Sequence, residues 1–303
     1  MYFTYLVLLI MPVFMSSNII IGRLAINSVE PFTLAFLRWL LAFLIILPLA
    51  LPSLRKDWAA IKAAFRQLLA LSFLGMWICG AIVYFGLKNT SATNATLIYS
   101  GAPVIILLLE WLFRGRKIAL REISGIVLAL IGIGLIVGRG SFTALLSLKI
   151  QWGDAVLLGC TISWAAYSVM VRSKVLQPLS NISLFAITAL LGSLWLLPFS
   201  LGELVIVGHF PATQDIWLAI AAMALIPSVL AFSCYQYGIS KVGASVAGMF
   251  MYLLPPYGVG MAIVLLGEHL QPYHIYGFIP IMAGLLLATV PLSLFKRTRG
   301  ITR

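Results

Sequence analysis

The chain is short of charge, and most of all short of acid. Of 303 residues only 8 are Asp or Glu and 20 are Lys or Arg, so charged side chains make up 9% against 62% hydrophobic. A water-soluble domain carries roughly 25% charged residues. Too little polar material is left to cover a water-facing surface, which argues against a soluble enzyme and makes hydrocarbon the solvent for most of the chain. There, every backbone N–H and C=O must be met internally, which leaves helices or closed barrels. Barrel strands alternate apolar and polar positions over about 10 residues. Here the apolar runs are continuous and close to the roughly 20 residues that a spanning helix needs.

Other absences narrow the function. No GxxxxGK[ST] phosphate loop occurs, so no nucleotide hydrolysis is expected. There is no HExxH and no GxSxG, and His209, His269 and His274 fall in or at the edge of the loops that join apolar runs, so neither a catalytic metal nor a cofactor is expected. Cys79, Cys160 and Cys234 lie inside apolar runs without CxxC spacing and read as small packing residues. The N-terminus shows neither a basic n-region nor a small-residue cleavage site, so a removed signal peptide is not expected.

What is present is a series of ten apolar runs, at roughly 5–26, 32–52, 67–87, 92–113, 122–139, 153–172, 181–201, 216–238, 243–266 and 272–294. The linker 53–66, with Trp58 and four basic residues, suits a short amphipathic helix on the membrane surface. The net charge of +12 is a topology signal and no sign of nucleic-acid binding. Ten spans put 15 basic residues on one side and 4 on the other, with Arg38 inside a span. The positive-inside rule then places both termini in the cytoplasm, as expected for a multi-pass protein of a bacterial cytoplasmic (inner) membrane.

The two halves repeat. A shift of 152 residues aligns Gly86 with Gly238, Pro103 with Pro255, Gly115 with Gly267, Gly125 with Gly277 and Gly132 with Gly284. Glycine and proline mark bends and close contacts, so their shared register carries weight. Five spans per half is odd, so the second copy must enter the membrane inverted. Inverted repeats are typical of secondary transporters with a site near the bilayer midplane.

A proline in the fourth span of each half is followed by Trp-Leu-Phe-Arg-Gly-Arg-Lys (111–117) in the first half and Leu-Leu-Gly-Glu-His-Leu (265–270) in the second. With Phe-Leu-Arg-Trp (36–39), this resembles the EamA-type repeat of the drug/metabolite transporter superfamily, over nearly the whole chain. One departure is Arg116 where the repeat expects glutamate. The resemblance implies an all-α membrane protein of ten transmembrane helices in two inverted five-helix repeats, 1–141 and 153–295, with a basic cytoplasmic tail, 296–303. Spans 1, 3, 4, 6, 8 and 9 would then enclose a central cavity. It also implies export of amino acids, aromatic and other neutral ones, by alternating access.

The residues speak to the substrate independently. No charge lies near the centre of those six spans, which points to a neutral or zwitterionic solute with an apolar body. Candidate binding residues are Asn18, Tyr84, Tyr99, Trp164 and Tyr252; candidate gate or hinge residues are Pro103, Pro227, Pro255 and Pro256. Arg38 reads equally as a side chain snorkelling outward toward Glu30 or as a packing or gate contact. Glu110 reads as an interfacial partner of Arg114 one turn on. Spans 5 and 10, with glycines seven apart, read as scaffold or as the contact of a homo-oligomer. The other readings are a carrier of a nucleobase or nucleoside and a non-transporting membrane scaffold.

Overall fold

The structure is a computed structural model that describes residues 2–25, 28–90, 95, 98–147, 149, 151–207, 211, 213–266 and 269–289. Thr96, His209, the Gly267–Glu268 pair and the expected tail 296–303 lie outside the described residues. Every regular element described is helical: α1 (Tyr2–Ala25), α2 (Pro31–Lys56), α3 (Trp58–Ala63), α4 (Phe65–Lys88), α5 (Ala102–Arg114), α6 (Leu120–Val137), α7 (Phe142–Leu146), α8 (Trp152–Met170), α9 (Asn181–Val207), α10 (Gln214–Val242), α11 (244–266) and α12 (Pro272–Thr289). Among the described residues α2, α4, α6, α9, α10 and α12 are long and apolar enough to cross a membrane. Large apolar side chains cover the outer surface, among them Leu49, Ile131 and Leu194, each more than half exposed. A surface of that kind suits lipid.

Equivalent helices of the two halves meet as antiparallel pairs. Along α6 and α12, a Cβ added to Gly125 would stand 2.5 Å from the Gly284 carbonyl oxygen, and one added to Gly132 would stand 2.4 Å from that of Gly277. The register runs forward on one helix and backward on the other. The glycine stripe is therefore spent inside the chain, where backbones touch, and is not free for contact with a second copy.

The α2–α9 pair follows the same rule. Glu30 gives no side-chain cap to α2; instead the Glu203 carboxylate, near the end of α9, accepts from the N–H groups of Phe32 (3.0 Å) and Thr33 (2.7 Å). At the far end Asp57 closes α2 and accepts from the N–H and hydroxyl of Ser180, just before α9 (2.9 and 2.7 Å). Each helix thus receives a carboxylate cap from the other's terminus. Burial would raise the Asp57 carboxyl, but the Ser180 donors and nearby Lys56 outweigh it and leave it below its ordinary value.

Local breaks also come in pairs. α4 opens into π-type turns over Phe73–Ile82, and α10 does so over Ala224–Leu230, at nearly the same place in each repeat. The helical turn at 98–100 ends at Gly101 before α5 restarts at Ala102. α11 narrows to a 3-10 turn over Phe250–Leu253 and restarts at Leu254. Pro103 and Pro255 therefore occupy the second position of a new helical segment, where a missing N–H costs no helical bond. They mark restarts, not kinks in continuous helices.

Gly132→Val should cost about 1–3 kcal/mol by forcing α6 and α12 apart, whereas Gly159→Ala, whose Cβ would meet nothing within 4 Å, should be neutral. Thermal unfolding of the purified protein in detergent reads both; equal effects would place the α6–α12 contact elsewhere.

Candidate functional site

A cavity of about 430 Å³ lies between the two halves. It reaches an exposed Arg139 after the end of α6, and Tyr273 and His274 at the start of α12. Its inner part meets Ser16 and Asn18 of α1, Arg38 of α2, Trp164 of α8 and Phe232 of α10. It is thus open at the bundle end that carries Lys88 and Arg139.

Arg38 organises the floor. Its residue is only 3% exposed. Nε donates to the Ser228 hydroxyl (2.6 Å), and Nη1 donates to Asn18 Oδ1 (3.0 Å) and Tyr84 OH (2.6 Å). Tyr84 OH in turn donates to Asn18 Oδ1 (2.7 Å), and the guanidinium lies 4.7 Å over the Trp39 ring. Glu30 is paired with Lys88 at 3.1 Å instead. The snorkelling alternative is therefore set aside: Arg38 points into the bundle. So is the expectation of an uncharged site.

Pro227 explains why Ser228 is in place. A proline at 227 has no N–H to give the Met223 carbonyl four residues back. The Ser228 hydroxyl donates to that oxygen (2.8 Å) across the π-type turn, which leaves its own oxygen facing Arg38. π-type turns concentrate at functional positions.

The aromatic side of the cavity is a stack. Trp164 lies against Tyr167 and Tyr235, with ring centres 5.3 and 5.0 Å away, and edge-on to Phe232 at 5.3 Å. Its indole N–H points to Met251 Sδ at 3.1 Å. Gln236 donates to Tyr167 OH, and Ser168 bonds Tyr235 OH, both at 2.8 Å. These rings fill the bundle below the cavity.

Beyond them the far end is closed by polar contacts between the halves. Ser245 of α11 donates to Glu110 of α5. Arg116 stands 3.5 Å from Glu110 and also pairs with Glu122. The expected Glu110–Arg114 pair does not form; Arg114 donates to the Val169 carbonyl of α8 at 2.6 Å. Gly115, at φ +62°, turns the chain back so that Arg116, not Arg114, meets the carboxylate.

Of the sequence candidates, Asn18, Tyr99, Trp164, Pro227 and Pro255 line the cavity. Tyr84 supports the floor from behind, fully buried. Tyr252 does not line it; the 3-10 turn faces Met251 inward, while the Tyr252 hydroxyl is buried and meets no partner among the described residues. Pro103 and Pro256 also lie off the lining. Spans other than the expected six contribute too, through Arg38 of α2, Ile136 and Val137 of α6, and the first turn of α12.

The profile of the EamA-like transporter family matches residues 2–138 and again 151–290. The chain belongs to the EamA-like transporter family. It is 28% identical over 278 residues to the uncharacterized transporter YetK of Bacillus subtilis (strain 168), covering 90% of this chain and 83% of that one. It is 26% identical over 232 residues to a protein named "Probable terminal-alkyne amino-acid exporter" of Streptantibioticus cattleyicolor, covering 76% of this chain and 72% of that one. A solved crystal structure superposes with a TM-score of 0.74 over 97% of each chain at 16% identity, a likeness of fold. This EamA-like transporter is therefore a membrane protein of a transporter family, with the EamA unit present twice.

The cavity boundary is testable by thiol labelling in a cysteine-free background. A water-soluble methanethiosulfonate should modify Val137→Cys on the lining and spare Ile133→Cys, buried one turn earlier on α6. Equal labelling of the two would contradict the boundary.

Proposed function

We propose that this EamA-like transporter exports amino acids, aromatic and other neutral ones, across a bacterial cytoplasmic membrane by alternating access. The carrying observation is a cavity between the halves that is open at one bundle end and closed at the other by the Trp164 stack and the Glu110–Ser245 contact. A non-transporting scaffold has no use for such a space. Antiparallel pairing of α2 with α9 and α6 with α12 supports two inverted five-helix repeats, 1–141 and 153–295, and hence ten spans. Two such halves can exchange roles about a central site.

The basic residues sit mostly at the closed end, which favours cytoplasmic termini and makes this an outward-open state. Amino acids are favoured by the contrast within the cavity, a cationic, hydroxyl-rich floor on one side and aromatic rings on the other. The relative named as an amino-acid exporter points the same way and supplies the direction. A neutral nucleobase would make no use of the buried arginine. Pro227 and Pro255, at the paired helix breaks on the lining, are the residues about which rocking is proposed.

Proteoliposomes loaded with labelled phenylalanine, tryptophan, threonine and a nucleobase test this, each with and without a proton gradient. Amino acids should leave and the nucleobase should not. Trp164→Phe should slow efflux of aromatic substrates while preserving the stack; Trp164→Ala is a poorer test, because deleting so buried a ring costs about 3–5 kcal/mol. Movement of no amino acid by folded protein would end the proposal.

A further inference from the structure

Arg38 has one more donor nitrogen than the protein uses, Nη2 with its two N–H groups. Nε and Nη1 are taken by Ser228, Asn18 and Tyr84. No acceptor meets Nη2 among the described residues, and Arg38 lines the cavity. Nor does any acid compensate the charge: no carboxylate lies within 4 Å among the described residues, and no described lining residue is Asp or Glu. Its partners among the described residues, Ser228, Asn18 and Tyr84, are all neutral. A guanidinium held by neutral groups, with an edge left toward a cavity, is a preformed seat for an anion.

We propose that Arg38 is the anchor of the substrate's carboxylate, so that this EamA-like transporter selects solutes bearing a carboxylate on a small apolar body. The claim rests on the transport reading above and sharpens it. Asn18 and Tyr84 accept from Nη1 and hold the guanidinium plane, so they are positioning residues. Ser228, set by Pro227, fixes Nε in the same way. With two of the three nitrogens committed, the free edge suits one carboxylate oxygen. A phosphate monoester brings up to two charges and three oxygens to a floor that offers a single buried cation. The aromatic wall at Trp164 and Phe232 then receives the side chain, so one end of the solute is read by charge and the other by fit.

The test uses the full chain in lipid nanodiscs and a matched series: phenylalanine, 3-phenylpropionate, phenylalaninamide, phenethylamine and phenyl phosphate. Wild type should bind the two carboxylates about tenfold to a hundredfold more tightly than the amide or amine, the range of a charge-assisted hydrogen bond. Arg38→Gln should remove that preference while changing amide binding little. Arg38→Lys should restore part of it, since an ammonium keeps the charge but loses the fixed fork.

Because Arg38 also joins α1, α2, α4 and α10, a second readout needs no variant. Phenylglyoxal modification of wild type, followed by peptide mass spectrometry, should be slowed at Arg38 by 3-phenylpropionate and not by phenylalaninamide, with Arg55 as an outside control. The proposal is overturned if wild type does not prefer carboxylates, if Arg38→Gln weakens acid and amide equally, if phenyl phosphate binds best, or if no carboxylate protects Arg38. Protection by 3-phenylpropionate without translocation of any amino acid keeps the anchor and discards amino-acid export. Amino-acid export that is indifferent to Arg38 does the reverse.

Discussion

Backbone contact at Gly125–Gly284 and Gly132–Gly277 is the constraint on which the arrangement of the halves depends. In lipid, apolar side chains gain little by leaving one hydrocarbon surface for another, so close packing and satisfied polar groups decide how helices associate. Four glycines let α6 and α12 approach until only backbone separates them. Because each glycine meets the repeat equivalent of the other, Gly125 that of Gly132 and Gly132 that of Gly125, the contact is self-complementary and can form only if the two helices run in opposite directions. The carboxylate caps that α2 and α9 exchange impose the same opposition some distance away. With both pairs fixed, the third helix of each half packs against the first helix of the other, α4 on α8 and α10 on α1, and the fourth helices α5 and α11 meet each other; it is in these third and fourth helices that the regular turns break.

Those breaks would be intolerable against lipid, where an unmet backbone group costs several kcal/mol. They are tolerable beside a cavity and neighbouring hydroxyls. Ser16 donates to the Leu254 carbonyl at the restart of α11 (3.1 Å), and Ser228 donates to the carbonyl that Pro227 strands. The second of these connects backbone strain to chemistry, because the same hydroxyl orients Arg38. A buried charge with neutral partners is expensive. Its persistence in the floor is hard to explain as stabilisation alone, and easy to explain if a ligand completes it.

Much of this was legible in the sequence, and the reasons differ by feature. The helical membrane class follows from composition. The repeat follows from the spacing of glycines and prolines, since those residues mark backbone events that both copies share. The direction of individual side chains was not legible. α2 is apolar nearly all round, so periodicity gives no inward face, and Arg38 could be read as pointing to solvent or to protein. Tyr252 was misplaced because a 3-10 turn advances about 120° per residue where an α-helix advances 100°. The Glu110 partner was misassigned because i,i+4 spacing assumes the helix continues. Gly115 ends it, and a glycine just past an apolar run was the signal that could have said so. The restarts at Pro103 and Pro255 are not legible either, because an unbroken apolar run gives no sign of where one helical segment ends and the next begins.

The scaffold is nearly symmetric, but the site is not. The 152-residue shift that pairs the glycines sets Leu190 opposite Arg38, Met170 opposite Asn18 and Pro12 opposite Trp164. The polar floor comes mainly from the first half, through Asn18, Arg38 and Tyr84, with Ser228 as the one contribution from the second. The aromatic wall comes mainly from the second half, through Trp164 and Phe232 with Met251 beside them, and Tyr99 is the first half's aromatic on the described lining. On the proposed assignment a bound solute would bridge the halves, its charged end held by one and its apolar end set mainly against the other. Any rocking that alternates the open end must change the distance between floor and wall. A solute that spans both can favour a closed intermediate, whereas one that satisfies a single side gives the halves no reason to move together. In the proposed transport cycle, repeat symmetry would supply two exchangeable arrangements, and departure from it would give the substrate a hold on both.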